Sequence, residues 1–281
     1  MTGTRFPFPF FPKIRQQKGS IMGIAVITGA SSGMGMEFAK QICLNNPKGE
    51  IFDELWLIAR RRDRLEELSR SLPVPCRVFS LDLTKEESLD EFRKALEEAK
   101  PEVSLLLNAS GYGKFFSTMD TSPEDVNGMI DLNCKALVRM TQLTVPYMAK
   151  GSHIVELDSL SAFQPVPYLN VYAASKAFVL SFTRALGAEL RHTGIHVMAV
   201  CPGWVRTEFF DRAEPGGRTE ITYFNKLFTA EYIVKTAIRD MYKEKKDVCV
   251  PDFSIKAQVL LTKLLPHRLV MKIWLKQQGK K

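Results

Sequence analysis

A glycine-rich turn near the start of the sequence limits the folds open to this chain more than any other feature. The turn separates an apolar run, Ile24 to Thr28, from a segment with helical periodicity that begins near Met34. Glycines at positions 29, 33 and 35 allow a tight turn and a close approach of the backbone to a ligand. The first N–H groups of the following helix are suited to a pyrophosphate. Strand, glycine turn and helix in this order predict a pyrophosphate-binding turn, and a plain strand-to-helix connection is the alternative.

The alternation of strand and helix continues along the chain. The apolar patterns predict strands at 24–28, 55–59, 77–81, 103–108, 153–158, 195–201 and 248–250. They predict helices at 34–45, 61–71, 84–100, 122–149, 171–192 and 230–245, and Thr84 is expected to cap its helix in a capping box with Glu87. This alternation implies βαβ crossovers, and therefore an α/β fold with a doubly wound parallel sheet, in a single domain over 22–253.

Charge and cysteine content limit the classes of function that are open to this chain. The net charge of +8 comes from the two ends, because residues 1–20 hold four Lys and Arg, residues 254–281 hold seven, and neither segment holds an acid. The body between them has 28 Lys and Arg against 31 Asp and Glu, which argues against a general nucleic-acid surface. The five cysteines are widely separated, which predicts reduced thiols, no structural disulfide and no zinc site. The four histidines form no metal-like cluster in the sequence.

The first 21 residues differ from the rest of the chain. Prolines alternate there with phenylalanines, so neither a helix nor an interior strand is expected. We expect a disordered extension, or a natural start at Met22.

A tyrosine and a lysine four residues apart, Tyr172 and Lys176, are the strongest candidates for chemistry. On a helix they lie on one face, and the ammonium is expected to lower the pKa of the phenol toward neutrality. Such a phenol exchanges a proton near pH 7, as general acid–base catalysis requires. Ser159 lies thirteen residues before the tyrosine. A solvated surface pair is the alternative for the spacing alone.

Together the motifs resemble the short-chain dehydrogenase/reductase family over about 22–251. The matching segments are the glycine turn, the stretch Asn108-Ala109-Ser110-Gly111 after the fourth strand, the stretch Pro202-Gly203-Trp204-Val205-Arg206-Thr207, and a catalytic set of Asn133, Ser159, Tyr172 and Lys176. The chain departs from the family at Ala109 and Ser110, where a second asparagine and an alanine are usual. Glu156 and Asp158, just before Ser159, are also unusual.

The resemblance implies a Rossmann-like oxidoreductase that interconverts a carbonyl and a secondary alcohol. Tyr172 would donate or remove the proton, Lys176 would lower the phenol pKa and hold the nicotinamide ribose, and Ser159 would bind the substrate oxygen, with Ser161 as its competitor. Asn133 would position a water that links Lys176 to solvent. The expected cofactor contacts are Thr28, Gly29, Ser31, Ser32, Gly33, Met34, Gly35, Arg60, Arg61, Asp82, Leu83, Asn108, Tyr172, Lys176, Pro202, Gly203, Val205 and Thr207.

The residue after the second strand bears on the choice of cofactor. An acid there favours NAD, whereas an arginine accommodates the 2′-phosphate of NADP. Arg60 follows the strand directly and Arg61 comes next, so we expect NADP(H). By the resemblance, Asp82 would contact the adenine. Three arginines at a solvated helix start are the alternative.

Two apolar segments bear on substrate and location. The insertion 208–228 carries five aromatic residues, and with the loop after Ser161 it suggests a hydrophobic, steroid-like or fatty substrate; ordinary packing under a lid is the alternative. The tail, residues 254–281, is predicted to form two amphipathic helices that meet near Pro266. Through 254–276 it would lie on an anionic membrane, pack over the cleft, or pack on a second subunit of a homodimer or homotetramer.

The expected location is cytoplasmic, with peripheral membrane contact left open. Two other functions stay open at this point. One is a non-catalytic dinucleotide-binding sensor or membrane-associated scaffold, and the other is an isomerase or epimerase with tightly bound nucleotide.

Overall fold

Seven parallel strands form the centre of the fold. A computed structural model describes residues 21–44, 51–217 and 219–280, so the predictions for 1–20 and for the end of the first helix at 45–49 lie outside the described residues. The strands are β1 Ile24–Thr28, β2 Leu55–Ala59, β3 Cys76–Ser80, β4 Val103–Asn108, β5 Met148–Leu157, β6 His196–Val200 and β7 Val248–Cys249. Their order in the sheet is β3-β2-β1-β4-β5-β6-β7. The order reverses between β1 and β4, and such a reversal opens a crevice at the carboxyl ends of these strands.

Helices cover both faces of the sheet, as the alternation predicts. They are α1 Gly33–Leu44, α2 Arg62–Ser71, α3 Glu86–Ala99, α4 Pro123–Ile130, α5 Leu137–Thr144, α6 Asn170–Glu189, α7 Phe209–Ala213, α8 Ala230–Lys243, α9 Phe253–Leu264 and α10 His267–Gln277. Alternate residues of β1 enter two separate cores: Ala25 and Ile27 pack with α1, α2 and α8, whereas Ile24 and Val26 pack with α3 and α5. The fold is thus a Rossmann-like doubly wound sheet, with the two predicted tail helices on either side of Pro266.

Two local predictions are corrected. The expected helix over 122–149 ends at Thr144, because Pro146 has no N–H with which to extend the helix, and β5 already begins at Met148. The capping box at Thr84 is wrong. The Thr84 hydroxyl and N–H both donate to the Asp82 carboxylate, at 2.8 and 3.1 Å, so the chain makes a turn and α3 begins only at Glu86.

The described residues also give information on cysteine pairing, metal ligands and membrane-spanning helices. All five cysteines are free, as predicted. Among the described residues, no three His, Cys, Asp or Glu side chains lie close enough together to hold a metal ion. Over the same residues, no helix combines the length and apolar character needed to cross a membrane.

Candidate active site

The glycine turn is packed so closely that its glycine positions leave no room for a side chain. Gly29 and Gly33 have positive φ angles of 68° and 53°. A Cβ at Gly29 would lie 2.7 Å from the Ala109 carbonyl oxygen, and one at Gly35 would lie 2.4 Å from the Gly29 carbonyl oxygen. Helix α1 begins at Gly33, so its first N–H groups lie at the crevice. The turn therefore has the shape that a pyrophosphate group needs.

Two expected cofactor contacts use their side chains inside the protein. The Thr28 hydroxyl accepts the N–H groups of Ala109 and Ser110 at 3.0 and 3.1 Å, which joins the ends of β1 and β4. The Asn108 amide donates to Thr141 and to Glu156, each at 3.2 Å. The side chains of Thr28 and Asn108 thus stabilise the sheet beneath the crevice.

Three arginines between the end of β2 and the first turn of α2 have different surroundings. Arg61 donates to Ser31 of the glycine turn at 3.2 Å and pairs with Glu208 at 2.7 Å, while Arg64 pairs with the same carboxylate at 3.0 Å. Arg60 is exposed, and within the described parts of the chain its guanidinium makes no hydrogen bond or ion pair. The bridge through Glu208 joins the start of the 208–228 insertion to the rim of the crevice, and sequence reasoning missed it.

These residues fit a nicotinamide dinucleotide. A Cβ at Gly29 or Gly35 would overlap neighbouring backbone, so the glycines let the turn approach a ligand, and α1 directs free N–H groups at that space. A cation follows β2, where a ribose or its phosphate would lie. Asp82 and Leu83 follow β3, with Leu83 buried and the Asp82 carboxylate held by Thr84.

The structure brings the serine, tyrosine and lysine together. Ser159 follows β5, and its hydroxyl lies beside Tyr172 of α6, close enough to lower the pKa of the phenol. Lys176 lies one turn further along α6, with its Nζ 5.7 Å from the centre of the tyrosine ring. That Nζ donates to the carbonyl oxygen of Leu157 at 2.6 Å. The three side chains therefore form one row, in which Lys176 is buried and Ser159 and Tyr172 reach the cleft.

Asn133 supports this row from an irregular helical turn. It lies in a π-helical segment, Asp131–Ala136, between α4 and α5, and such segments are frequent at functional sites. Its side-chain oxygen accepts the Tyr112 N–H at 3.0 Å, and its amide donates to the Tyr112 carbonyl and to Ser175 at 2.9 and 3.0 Å. The side chain thus fixes the residue before Lys176. The water-positioning role stays a prediction.

The expected effect of Lys176 on the phenol is corrected. Burial raises the pKa of Tyr172 well above its ordinary value, and the nearby Ser159 hydroxyl offsets this only in part. Burial also lowers the pKa of Lys176. The helix spacing is as predicted, but the lysine Nζ is directed at the Leu157 carbonyl, and desolvation outweighs the attraction of a more distant charge. The protein by itself therefore favours the protonated form of Tyr172.

Two carboxyl groups, which the sequence left without a role, lie behind Lys176. Glu156 and Asp158 are buried, and one oxygen of each has no hydrogen-bond partner among the described residues. Burial raises the pKa of Glu156 to about 8, although hydrogen bonds from Asn108 and Thr141 oppose this. Burial raises the pKa of Asp158 to about 7, against the opposing charge of Lys176. Burial therefore favours the protonated form of both carboxyl groups, next to Lys176.

Glu156 should make the stability of the fold depend on pH. Its ordinary pKa of 4.5 applies in the unfolded chain, whereas the folded pKa is about 8, so the folded state holds the extra proton between these values. Its contribution is full below pH 4.5 and is lost as pH rises through about 8. We expect Glu156→Gln, which resembles the protonated form, to match the wild type at pH 5 and to exceed its free energy of unfolding at pH 8 by on the order of a few kcal/mol. Urea unfolding at a series of pH values measures this.

The exposed Glu67 provides the control for that experiment. Glu67→Gln should leave the pH dependence of the wild type unchanged, because an exposed carboxyl group is solvated in both states. A wild-type stability that does not fall between pH 5 and pH 8, or falls equally in Glu156→Gln, contradicts the assignment.

A cleft that is partly open to solvent lies in front of Ser159 and Tyr172. Of the predicted residues, it is also lined by Met34, Pro202, Gly203, Val205 and Thr207. Sequence reasoning missed Trp204, Gln258 and Trp274 in the lining. Trp204 lies inside the stretch that begins at Pro202, but it was not among the expected contacts. The other two residues come from the tail.

Aromatic side chains form one wall of the cleft. Phe209, Phe210 and Phe224 of the insertion pack with Phe115 and Trp204, at ring-centre distances of 5.0 to 6.2 Å. The other two aromatic residues of the insertion do not take part: Phe228 is buried in the main core and Tyr223 is exposed. The cleft wall is therefore apolar, as expected, but the rings that form it are not the five aromatic residues of the insertion alone.

The tail packs over the mouth of the cleft, which was one of its three expected placements. The indole of Trp274 donates to the Pro167 carbonyl at 3.0 Å and stacks on Trp204 at 6.4 Å. Gln278 accepts the N–H groups of Thr222 and Tyr223 at 2.9 and 3.0 Å. The inner sides of the tail thus belong to the site.

Comparison with known proteins agrees with this geometry. A family model described as short chain dehydrogenase matches residues 23–216. An uncharacterized oxidoreductase of Staphylococcus epidermidis is 32% identical over 200 residues, which cover 70% of this chain and 84% of that protein. The very-long-chain 3-oxoacyl-CoA reductase of Anas platyrhynchos is 30% identical over 239 residues, which cover 81% of this chain and 72% of that protein.

A solved structure shares the whole architecture. A short-chain dehydrogenase from Sphingobium yanoikuyae, in complex with NADPH, has a TM-score of 0.72 and 26% identity, and the match covers 89% of this chain and 95% of that one. The family match, the strand order and the glycine turn all lead to one conclusion: this protein belongs to the short-chain dehydrogenase family, and it is an oxidoreductase of the CH–OH and C=O pair that uses a nicotinamide dinucleotide.

Proposed function

We propose that this protein is an NADP(H)-dependent oxidoreductase that interconverts a hydrophobic carbonyl compound and its secondary alcohol, with Tyr172 as the acid and base. The observation that carries the proposal is that Ser159 and Tyr172 line the same apolar cleft, with Lys176 one helical turn after the tyrosine. A binding module needs no buried phenol beside a serine and a lysine, so this row favours an enzyme over a sensor or scaffold.

Each residue of the row has a distinct task. The protonated phenol of Tyr172 donates its proton to a carbonyl oxygen in the cleft, and Ser159 donates a hydrogen bond to the same oxygen as negative charge develops there. Lys176 carries a positive charge behind the phenol and favours the phenolate that remains. A bound nicotinamide supplies or accepts the hydride. In the reverse direction the phenolate removes the proton from an alcohol.

The lining of the cleft supports a hydrophobic substrate. Phe209, Phe210 and Trp204 face the space next to the tyrosine, and Trp274 closes its outer side. A panel of steroid, fatty acyl and small polar ketones, assayed with NADPH and with NADH, tests this class. We expect kcat/KM to rise with the apolar area of the substrate, and a preference for the small polar ketones contradicts the proposal. The Anas platyrhynchos relative, named for very-long-chain 3-oxoacyl-CoA, supports including fatty acyl compounds.

Arg60 is proposed to select NADP(H). Replacing it with aspartate removes a cation and places an acid where the 2′-phosphate would lie, so we expect the Kd for NADPH to rise by on the order of a hundredfold. The Kd for NADH should change by only a few fold, because NADH has no such phosphate. Titration of protein fluorescence with each cofactor measures both constants.

Arg62→Asp is the matched control, because Arg62 lies on the same exposed helix start and pairs only weakly, at 3.6 Å, with Glu66. It introduces the same charge change two residues away. Equal losses of NADPH and NADH affinity in Arg60→Asp, or an equal NADPH loss in Arg62→Asp, refute the assignment.

The free cysteines support a reducing, cytoplasmic location, which we propose together with the function. A homodimer or homotetramer stays a prediction.

A further inference from the structure

Helix α9 is apolar on two opposite sides. One side is buried in the body of the protein through Ile255, Val259 and Thr262. The helical period places a second apolar set on the opposite side, and we call this set the outer α9 face: Phe253, Ala257, Leu260, Leu261 and Leu264. Phe253 is 83% exposed and Leu264 is 70% exposed. A helix that only covers a core needs one apolar side, so the outer α9 face requires a separate explanation.

Exposed apolar side chains are concentrated in this part of the molecule. Of the thirteen large apolar side chains that are exposed in the described residues, six lie on α9 and α10. Besides the four large members of the outer α9 face, they are Leu269 and Ile273. Soluble monomers rarely expose contiguous apolar patches of this kind unless something docks there.

The charges that the tail itself places next to the outer α9 face all have one sign. Lys256 and Lys263 are exposed along one edge of α9, and α10 exposes three more cations, Arg268, Lys272 and Lys276. The sequence from 254 to 281 contains no acid. Asp252, which caps the start of α9, is paired with Lys226. An apolar face bordered by the cations of the tail is complementary to a surface that is apolar beneath and negatively charged above.

We propose that the outer α9 face docks on the surface of a bilayer that contains anionic lipids. Its leucines and Phe253 would enter the boundary between headgroups and acyl chains, and the lysines would lie among the phosphates. A second copy of the chain is a poorer partner, because a two-fold contact brings Lys256 and Lys263 of both copies together and the tail supplies no acid to offset them.

The same helices line the cleft on their other sides. Gln258 of α9 and Trp274 of α10 are part of the cleft wall. Docking therefore holds the cleft next to the lipid surface, where an apolar ketone or alcohol is concentrated. This consequence for the substrate rests on the proposed function, whereas the docking itself does not.

Sedimentation of the full-length protein with vesicles tests the proposal. We expect binding to vesicles of phosphatidylcholine mixed with phosphatidylglycerol, at least about tenfold weaker binding to phosphatidylcholine alone, and weaker binding at high salt. The double variant Leu260→Asn, Leu264→Asn should bind the mixed vesicles at least about tenfold more weakly, because each leucine contributes through its buried apolar area. Met119→Asn is the matched control, since Met119 is 89% exposed in another part of the molecule and should leave binding unchanged.

Circular dichroism and NADPH binding verify that each variant is folded, and sedimentation velocity without lipid reports self-association. The proposal is overturned by a wild type that does not bind mixed vesicles, by equal loss in Met119→Asn, or by a lipid-free dimer that the leucine variant abolishes. The assay requires no turnover, so its result is independent of whether any ketone is reduced.

Discussion

Tyr172→Phe should lose on the order of 10²- to 10⁴-fold in turnover while still binding NADPH. The substitution removes a single oxygen atom from α6 and leaves the ring, which packs 5.3 Å from Phe209, in place. A carbonyl in the cleft then has Ser159 as a hydrogen-bond donor but no group that transfers a proton to it. The loss should appear in kcat, because the binding surfaces for substrate and cofactor are unchanged.

Steady-state kinetics on the best ketone of the panel, together with an NADPH titration, checks this expectation. Tyr168→Phe is the matched control, since Tyr168 lies in the loop just before α6 and its ring packs with the same aromatic cluster. Turnover in Tyr168→Phe should stay within a few fold of the wild type. A Tyr172→Phe enzyme with wild-type kcat would remove Tyr172 from the mechanism.

Gly35→Ala should destabilise the fold by about 1–3 kcal/mol or more, although alanine is the better helix former. The added Cβ would lie 2.4 Å from the Gly29 carbonyl oxygen and 2.8 Å from its carbon. Both are backbone atoms, so the contact cannot be relieved by a side-chain rotation. The turn must shift, and the Kd for NADPH should rise together with the loss of stability.

Gly187→Ala makes the same change in the interior of another helix, α6, and should have the opposite sign. The nearest atom to its added Cβ is the Val197 Cβ at 3.6 Å, an ordinary contact, so we expect a stabilisation of roughly 0.5–1 kcal/mol from the lower entropy of the unfolded chain. Urea unfolding of both variants measures the pair. Equal effects of the two substitutions would show that the glycine turn is not tightly packed.

The elements of this fold could be predicted from sequence because their signals are local. The apolar run of β1 and the 3.6-residue period of α1 each occupy one short segment, and the βαβ order then limits the topology. The row Ser159, Tyr172 and Lys176 was also predictable, because β5 and α6 are neighbours along the chain and in space. The predicted helix boundaries were less accurate in two places. Pro146 ends one helix early, and the turn at Asp82 delays the start of α3.

The features that sequence reasoning missed depend on contacts between distant segments. Trp274 and Gln258 enter the cleft wall from the tail, far from the motifs along the chain. The pKa of Tyr172 depends on how deeply the fold buries it, which the spacing to Lys176 does not encode. The inward direction of the Asn108 side chain follows from its register opposite Glu156 on β5, and that pairing exists only in the assembled sheet.

The bridge from Glu208 to Arg61 and Arg64 connects the expected cofactor site to the expected substrate site. A cofactor phosphate that attracts Arg61 competes with the Glu208 carboxylate, and Glu208 begins the segment that carries Phe209 and Phe210 over the substrate. Both partners of the bridge are partly exposed, so it is worth no more than about 1 kcal/mol, or a few fold in affinity. By thermodynamic reciprocity, the first ligand to bind changes the affinity for the second by that factor, and the second changes the affinity for the first equally. An acidic side chain outside the chemistry would thus couple the two sites by the same modest factor, whichever ligand binds first.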